Sequence, residues 1–301
     1  MSLLVVGSIA LDDVETPKAK VEGALGGSNT FISIAASYFT KPIHMVGVVG
    51  EDFPKEHIDL FNKYDINLEG LQIIKGGKTF RWGGVYLENF IDRDTNYTDL
   101  NVFENFNPVI PESQKKSKVV LLGNIDPVLQ LNVLEQIENP ELVICDTMNL
   151  WINIRNQELK EVINKIDVLI INDSEAKMLA DENNLIKAAK MILKTGPKYL
   201  IIKKGEHGAM LFHNEDIFSA PAFPIEELHD PTGAGDTFAG GFAGYLLKTG
   251  DITYENMKTA VVYGSVLASF SVEQFSTGGI EDLTEGKINE RFEAFKKMAQ
   301  F

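Results

Sequence analysis

Short apolar runs recur along the chain at residues 3–9, 43–49, 119–123, 142–146, 168–171 and 199–203, and most of them run into Gly, Asn or Asp. Runs this short and this continuous fit strands buried on both faces of a sheet. Between them the apolar positions fall at helical spacing, and repeated strand-helix alternation predicts a doubly wound, mainly parallel α/β sheet flanked by helices. Helices are expected at about 55–64, 257–270 and 285–298. Residues 71–106 differ. Apolar and polar positions alternate there between turn signals, which predicts antiparallel strands with one wet face, a small sheet apart from the main one.

One stretch stands out chemically. Asp230-Pro-Thr-Gly-Ala-Gly-Asp236 leads directly into an apolar helix that continues to Leu247. Gly233, Ala234 and Gly235 put almost no side chain over the first helical turn, so its free amides and the positive end of the helix dipole can face an anion. Asp236 fits two roles here. It is a residue type favoured near helix starts, and it is also the base that a hydroxyl attacking a phosphate requires. Polar clusters follow three successive strands: Asn124 with Asp126, Asp146 with Asn149, and Asn172 with Glu175. In an open α/β sheet, ligands sit outside the carboxyl ends of the strands. Three such clusters predict a floor for phosphates and a hydrated Mg²⁺, although Glu175 also suits the first turn of a following helix as a cap.

Composition narrows the classes. The 301 residues suit one large α/β domain with an appendage, 1–301. No apolar run approaches the roughly 20 residues of a membrane span, and the start has no basic segment ahead of its apolar run, so no signal peptide is expected and the cytoplasm is the default location. A net charge of −15 argues against nucleic acid or an anionic membrane as partner. Cys145, the single cysteine, lies in an apolar run and is expected buried and inert. The five histidines show no metal-ligand spacing. Neither a Gly-x-x-x-x-Gly-Lys-Ser/Thr run nor a Gly-x-Gly-x-x-Gly after the first strand is present, which excludes a P-loop NTPase and disfavours a dinucleotide oxidoreductase.

Asp230-Pro-Thr-Gly-Ala-Gly-Asp-Thr-Phe-Ala-Gly240 resembles the C-terminal signature of the ribokinase-like, phosphofructokinase B type carbohydrate kinases. The resemblance implies that the Gly233, Ala234 and Gly235 amides form the anion hole and that Asp236 is the catalytic base. Gly7-Ser-Ile-Ala-Leu-Asp12 is similar to the family's first strand, which implies that Asp12 holds sugar hydroxyls; Ala10 stands where the family often has Asn. Gly26-Gly27, followed by Ser28 or Asn29 as helix cap, resembles the family's Gly-Gly signature at the sugar pocket, with Phe31 as an apolar wall. Asn172-Asp-Ser-Glu175 matches the element associated with Mg²⁺ and phosphate, Glu175 acting through water. Lys203, Gly205 and Gly208 resemble the segment beside the nucleotide, and Gly278 lies in a Gly-rich loop near the adenine. Asp230 and Thr232 fall in a loop that in the family coordinates K⁺, and Thr232 also belongs to the nucleotide site.

The resemblance further implies a small sheet, here about residues 10–25 and 71–106, forming a lid over the sugar, with Arg81 and Trp82 pointing at substrate or at a partner's lid. Phe80, Trp82, Tyr86, Phe90 and Tyr97, rimmed by Arg81, Glu88, Asp92 and Arg93, are expected to face a second copy in a homodimer. The expected function is ATP-dependent transfer of the γ-phosphoryl group to a hydroxyl of a small sugar. The alternatives are a nucleoside kinase, in which Phe31 and Trp82 stack on the base, and a catalytically silent sugar or nucleotide sensor.

Overall fold

The computed structural model describes residues 2–90 and 92–300. The chain begins with β1 (Leu3–Val6), β2 (Ala10–Glu15), β3 (Lys20–Gly26), α1 (Ser28–Ser37), β4 (Ile43–Gly50), α2 (Lys55–Lys63), β5 (Ile66–Ile74), β6 (Phe80–Tyr86) and β7 (Arg93–Asp99). Strands and helices then alternate through β8 (Val119–Leu122), α3 (Pro127–Gln136), β9 (Leu142–Asp146), α4 (Asn149–Ile154), α5 (Asn156–Ile163), β10 (Val168–Asn172), α6 (Asp173–Ala180), α7 (Leu185–Leu193) and β11 (Tyr199–Lys203). A hairpin of β12 (Ala209–His213) and β13 (Asp216–Ala220) precedes α8 (Ala234–Thr249), α9 (Tyr254–Ser271) and α10 (Glu285–Met298).

The large sheet runs β13-β12-β11-β10-β9-β8-β1-β4-β5, parallel from β11 to β5 and antiparallel in its last two pairs. Alternation of side chains across the sheet explains why its strands are apolar throughout: Leu3 and Val5 enter the core beneath α1, α8 and α9, while Leu4 and Val6 enter the core beneath α5, α6 and α7. The order of strands reverses at β1, with β4 on one side and β8 on the other. The crevice at the carboxyl ends of these strands is where this architecture holds ligands.

The second sheet, β3-β2-β6-β7, pairs β2 with β6 in parallel and its other neighbours antiparallel. Its composition corrects the expected limits of the lid. Residues 66–74 belong to the large sheet as the edge strand β5, beside β4, and 101–105 form a 3-10 turn. An edge strand with one side in solvent alternates as a lid strand does, so periodicity cannot tell them apart. The lid strands span 10–26 and 80–99.

Register decides the faces of the lid. Asp12 lies opposite Trp82, and Tyr86 opposite Arg93, so these four share one face; Asp13 lies opposite Gly83, and with Arg81 and Tyr97 takes the other. Gly83 and Gly84 make room for rings laid flat against the strand, since a Cβ on Gly83 would collide with Tyr97 and one on Gly84 with the indole of Trp82.

Candidate active site

Helix α8 starts where the motif predicts. Gly233 is its N-cap with φ 75°, a left-handed conformation that favours glycine. The Ala234 amide donates to Pro231 O (3.3 Å) and the Thr237 amide to Gly233 O (2.8 Å). The Gly235 and Asp236 amides fall in the first turn, where helix geometry leaves N–H groups without a helical acceptor. Helix α8 is buried between α1 and α9 because glycines let backbones touch: a Cβ on Gly240 would collide with Ile32 O of α1, and one on Gly241 would lie 3.2 Å from the Gly264 Cα of α9.

Lys203, the last residue of β11, lies under this turn, and a Cβ on Gly235 would stand 2.7 Å from its Nζ. Lys203 Nζ donates to Asp146 Oδ2 at 3.2 Å. Burial alone would pull the Lys203 ammonium down, but Asp146, Glu175 and Asp236 hold it above its ordinary value. Lys203 is therefore a cation held by Asp146 beneath the first turn of α8. Asp146, at the end of β9, was visible in the sequence only as one member of a polar cluster. Its carbonyl and that of Gly123 both accept from Gln130 Nε2, at 3.1 and 3.0 Å, which clamps the ends of β8 and β9 together.

Packing raises the half-buried Asp236 carboxyl to about 7, helped by the nearby Asp146 and opposed by Lys203 and Arg93. Glu175 also rises to about 7, through burial and Asp146. It closes a capping box with Asn172: Asn172 N donates to Glu175 Oε2 and Glu175 N to Asn172 Oδ1, each at 2.8 Å. Glu175 is thus a helix cap, the reading its place in the first turn predicted. Among the described residues no three His, Cys, Asp or Glu side chains converge as a metal centre. Asp146 and Glu175 suit a hydrated divalent ion carried in with phosphates, the usual manner of Mg²⁺.

Across the crevice, Asp12 is 6% exposed and its pKa is raised to about 8, by burial first and then by Asp230. Gly26 is required beneath it, because a Cβ there would collide with the carboxyl. Gly27 caps α1 with φ 90°, its Cβ position 2.5 Å from Ser8 O. Asp230 is 1% exposed and accepts from the amides of Thr232 (2.8 Å) and Ser276 (3.1 Å), joining the loop before α8 to the loop that holds Gly278. Gly205 and Gly208, with φ 54° and 85°, shape the turn that follows Lys203.

Three expected substrate contacts lie elsewhere. Asn29 does not cap α1 and does not face the crevice: it is fully buried, its Nδ2 donating to Val5 O and Val46 O and its Oδ1 accepting from Ser33, so it ties β1 to β4. Phe31 is 1% exposed, packed under Gly233, where it supports the N-cap of α8 rather than lining a pocket. Arg81 sits on the lid face away from Asp12. There it donates to Asp13 Oδ1 (3.0 Å), beside the Tyr97 hydroxyl that donates to Asp13 Oδ2 (2.5 Å). The lid aromatics are largely engaged within the chain: Phe80 stacks on Phe103, Trp82 lies under Arg93, and Tyr86 is buried with its hydroxyl against Thr232.

A glycine-capped helix start over a buried lysine, a carboxyl raised to about 7 in its first turn and a second raised carboxyl across the crevice are groups that transfer of a phosphoryl group to a hydroxyl would use. The sequence matches the pfkB family of carbohydrate kinases over residues 2–283, and the chain belongs to that family. It is 28% identical to the cytidine kinase of Thermococcus kodakarensis over 252 residues, which covers 81% of this chain and 88% of that one. It is 25% identical to the ribokinase of Bacillus subtilis over 312 residues, covering 92% and 95%. The fold is shared with the nucleoside kinase of Methanocaldococcus jannaschii at a TM-score of 0.76 and 20% identity, over 97% and 98% of the two chains. The chain is thus a kinase. Among the described residues no helix is long and apolar enough to cross a membrane.

Proposed function

We propose that this kinase transfers the γ-phosphoryl group of ATP to a hydroxyl of a small sugar, with Asp236 as general base and the amides of residues 233–235 as anion hole. The observation that carries this reading is the Asp236 carboxyl in the first turn of α8, raised by burial to about 7, next in sequence to Gly235, whose Cβ position lies 2.7 Å from the Lys203 Nζ. Asp236 takes the proton of the acceptor hydroxyl, whose oxygen forms the new bond to the γ-phosphorus as the bond to the bridging oxygen of ADP breaks. The amides and Lys203 offset charge on the phosphoryl oxygens. Asp12, neutral at its raised pKa, donates to an acceptor hydroxyl. Mg²⁺ bound to ATP screens the triphosphate, and Asp146 and Glu175 are the residues that would meet its water shell. Asp230 fits a K⁺ site, being a buried carboxyl whose hydrogen-bond partners are neutral groups.

A nucleoside is the second reading for the acceptor. Trp82 lies on the lid face that carries Asp12, flat against Gly84, and the Arg93 guanidinium covers its ring at 5.0 Å and would have to move aside for a base to stack there. The identity to a cytidine kinase supports it. A screen of ATP-dependent phosphorylation over pentoses, hexoses and nucleosides tests both readings. Absence of transfer to every acceptor overturns them, and turnover confined to nucleosides selects the second.

A further inference from the structure

We propose that Gln130 is a positioning residue of this kinase, a clamp at the end of the large sheet that holds Asp146, and through it the Lys203 ammonium, in place beneath the first turn of α8. The effect on the reaction rests on the kinase reading above; the clamp does not.

Gln130 is a polar side chain on the buried face of its helix. That face of α3 consists of Pro127, Gln130 and Val133, and an amide 0% exposed is costly there unless it is hydrogen-bonded. The ladder between β8 and β9 stops at Leu122 opposite Cys145. The carbonyls one residue further on, those of Gly123 and Asp146, both accept from Gln130 Nε2, at 3.0 and 3.1 Å. One side-chain amide thus takes the place of the next rung. Its Oε1 has no partner among the described residues, so the amide is placed for its two donors at the expense of its own acceptor.

Each end of the clamp reaches one half of the site. Asp146, 5% exposed, is held at all three of its oxygens. Its carbonyl also accepts from Cys145 Sγ (3.3 Å), its Oδ1 from the Thr147 amide (2.8 Å) and its Oδ2 from Lys203 Nζ (3.2 Å), the ammonium that stands 2.7 Å from the Cβ position of Gly235. At the other end the Gly123 amide donates to Val6 O (2.8 Å), and a Cβ on Gly123 would lie 2.9 Å from Ser28 Oγ. Ser8 and Ser28 exchange amide-to-hydroxyl bonds at 3.2 and 3.1 Å, directly after the Gly26-Gly27 pair that makes room for Asp12. Gln130 therefore fixes the spacing between the groups that would face the phosphates and those that would face the acceptor. Being fully buried, it acts only through them, and a misplacement of about 1 Å in a reacting geometry is worth roughly 10²-fold in rate.

Two measurements on the full chain test this. In ligand-free protein, Gln130→Met, an unbranched side chain without donors, is expected to speed amide hydrogen exchange over residues 143–148 about fivefold, the ratio that one net hydrogen bond is worth. Exchange in β4 and β5 should stay as in the wild type. Unchanged exchange over residues 143–148 overturns the clamp, whatever the protein phosphorylates. In steady-state kinetics, Gln130→Met is expected to lower kcat about 10–100-fold, the usual worth of a residue that orients a functional one, with KM for the acceptor little altered. In an Asp146→Asn background the same substitution should cost less than about threefold, because the charge it positions is already gone. An equal loss in the two backgrounds, or wild-type kcat in Gln130→Met, overturns the positioning role. Should Gln130→Met not fold, Gln130→Glu, which keeps the length and donates at most once, takes its place in both measurements with the same outcomes. A wild-type protein that phosphorylates no sugar or nucleoside overturns the kinase reading and the kinetic role of Gln130 with it, while the exchange rates still judge the clamp.

Discussion

Burial lifts the Asp236 carboxyl first, the carboxylates of Asp146 and Glu175 add to the rise and the cations Lys203 and Arg93 oppose it, which leaves its pKa at about 7. A general base works only when deprotonated, so kcat/KM is expected to rise with pH through about 7 and to fall tenfold per unit below it. A pH-rate profile of the wild type checks this. Asp236→Asn keeps the shape and removes the acceptor of the proton, and a loss of about 10²–10⁴ in kcat with unchanged ATP affinity is expected. Asp12 supplies a stability test. Its folded pKa of about 8 lies above the unfolded value of 3.8, so the native state binds a proton that the unfolded chain releases. Stability from this group is full below the unfolded value and is lost as pH rises toward 8. Asp12→Asn has no proton to lose, so its Tm should match the wild type near pH 4 and exceed it increasingly toward pH 8, as read by thermal unfolding across that range.

The first turn of α8 and that of α6 separate charge from shape. At Gly235, a side chain would occupy the place of Lys203 Nζ, 2.7 Å from its Cβ position. Gly235→Val is expected to displace that ammonium and abolish most activity while circular dichroism reports a folded protein. Glu175 caps α6 and is proposed to meet the water shell of Mg²⁺, and glutamine divides the two roles. A Gln at the third position of the helix still caps the Asn172 amide, so Glu175→Gln should leave Tm unchanged while raising the Mg²⁺ concentration needed for half-maximal rate. A Tm that falls together with the rate would assign Glu175 to the helix alone. The signals for both turns were local: small residues before a helix, and Asn-x-x-Glu after a strand, need only their neighbours in sequence to take up these geometries.

On the scale of the whole molecule, the lid presents different chemistry on its two faces. The face with Asp12, Trp82, Tyr86 and Arg93 turns to the crevice, and the face with Asp13, Arg81 and Tyr97 is what remains for a second copy. If the homodimer proposed through the lid forms, Arg81→Glu combined with Tyr97→Ala should weaken it and Trp82→Ala should not, as light scattering at micromolar concentration would report. Asp230, buried and bonded to two loops, leads to a second expectation at this scale: faster turnover in K⁺ than in Na⁺ at matched ionic strength, with equal rates counting against the cation site.

The chain's own pattern was enough for the doubly wound sheet, because each strand must bury both faces and each helix one, and these demands are written in the spacing of apolar residues. It was enough too for the glycine-capped start of α8, because Gly-Ala-Gly-Asp shapes that turn through its own backbone. What lay beyond it was every feature that depends on which strand lies beside which. Periodicity could not assign residues 66–74 to the large sheet, since an edge strand and a lid strand alternate alike. It could not show that Asn29 is spent on Val5 and Val46, that Phe31 props Gly233 from below, or that Arg81 and Trp82, adjacent in sequence, face opposite sides of the lid. Arg93 was expected only as a charge on the rim of an aromatic patch facing a second copy. It follows a turn among other charged residues, and only the pairing of β6 with β7, which sets Arg93 beside Tyr86 and over Trp82, brings its charge to the crevice. Register and burial come from contacts between segments distant in sequence, and those contacts exist only once the chain has folded.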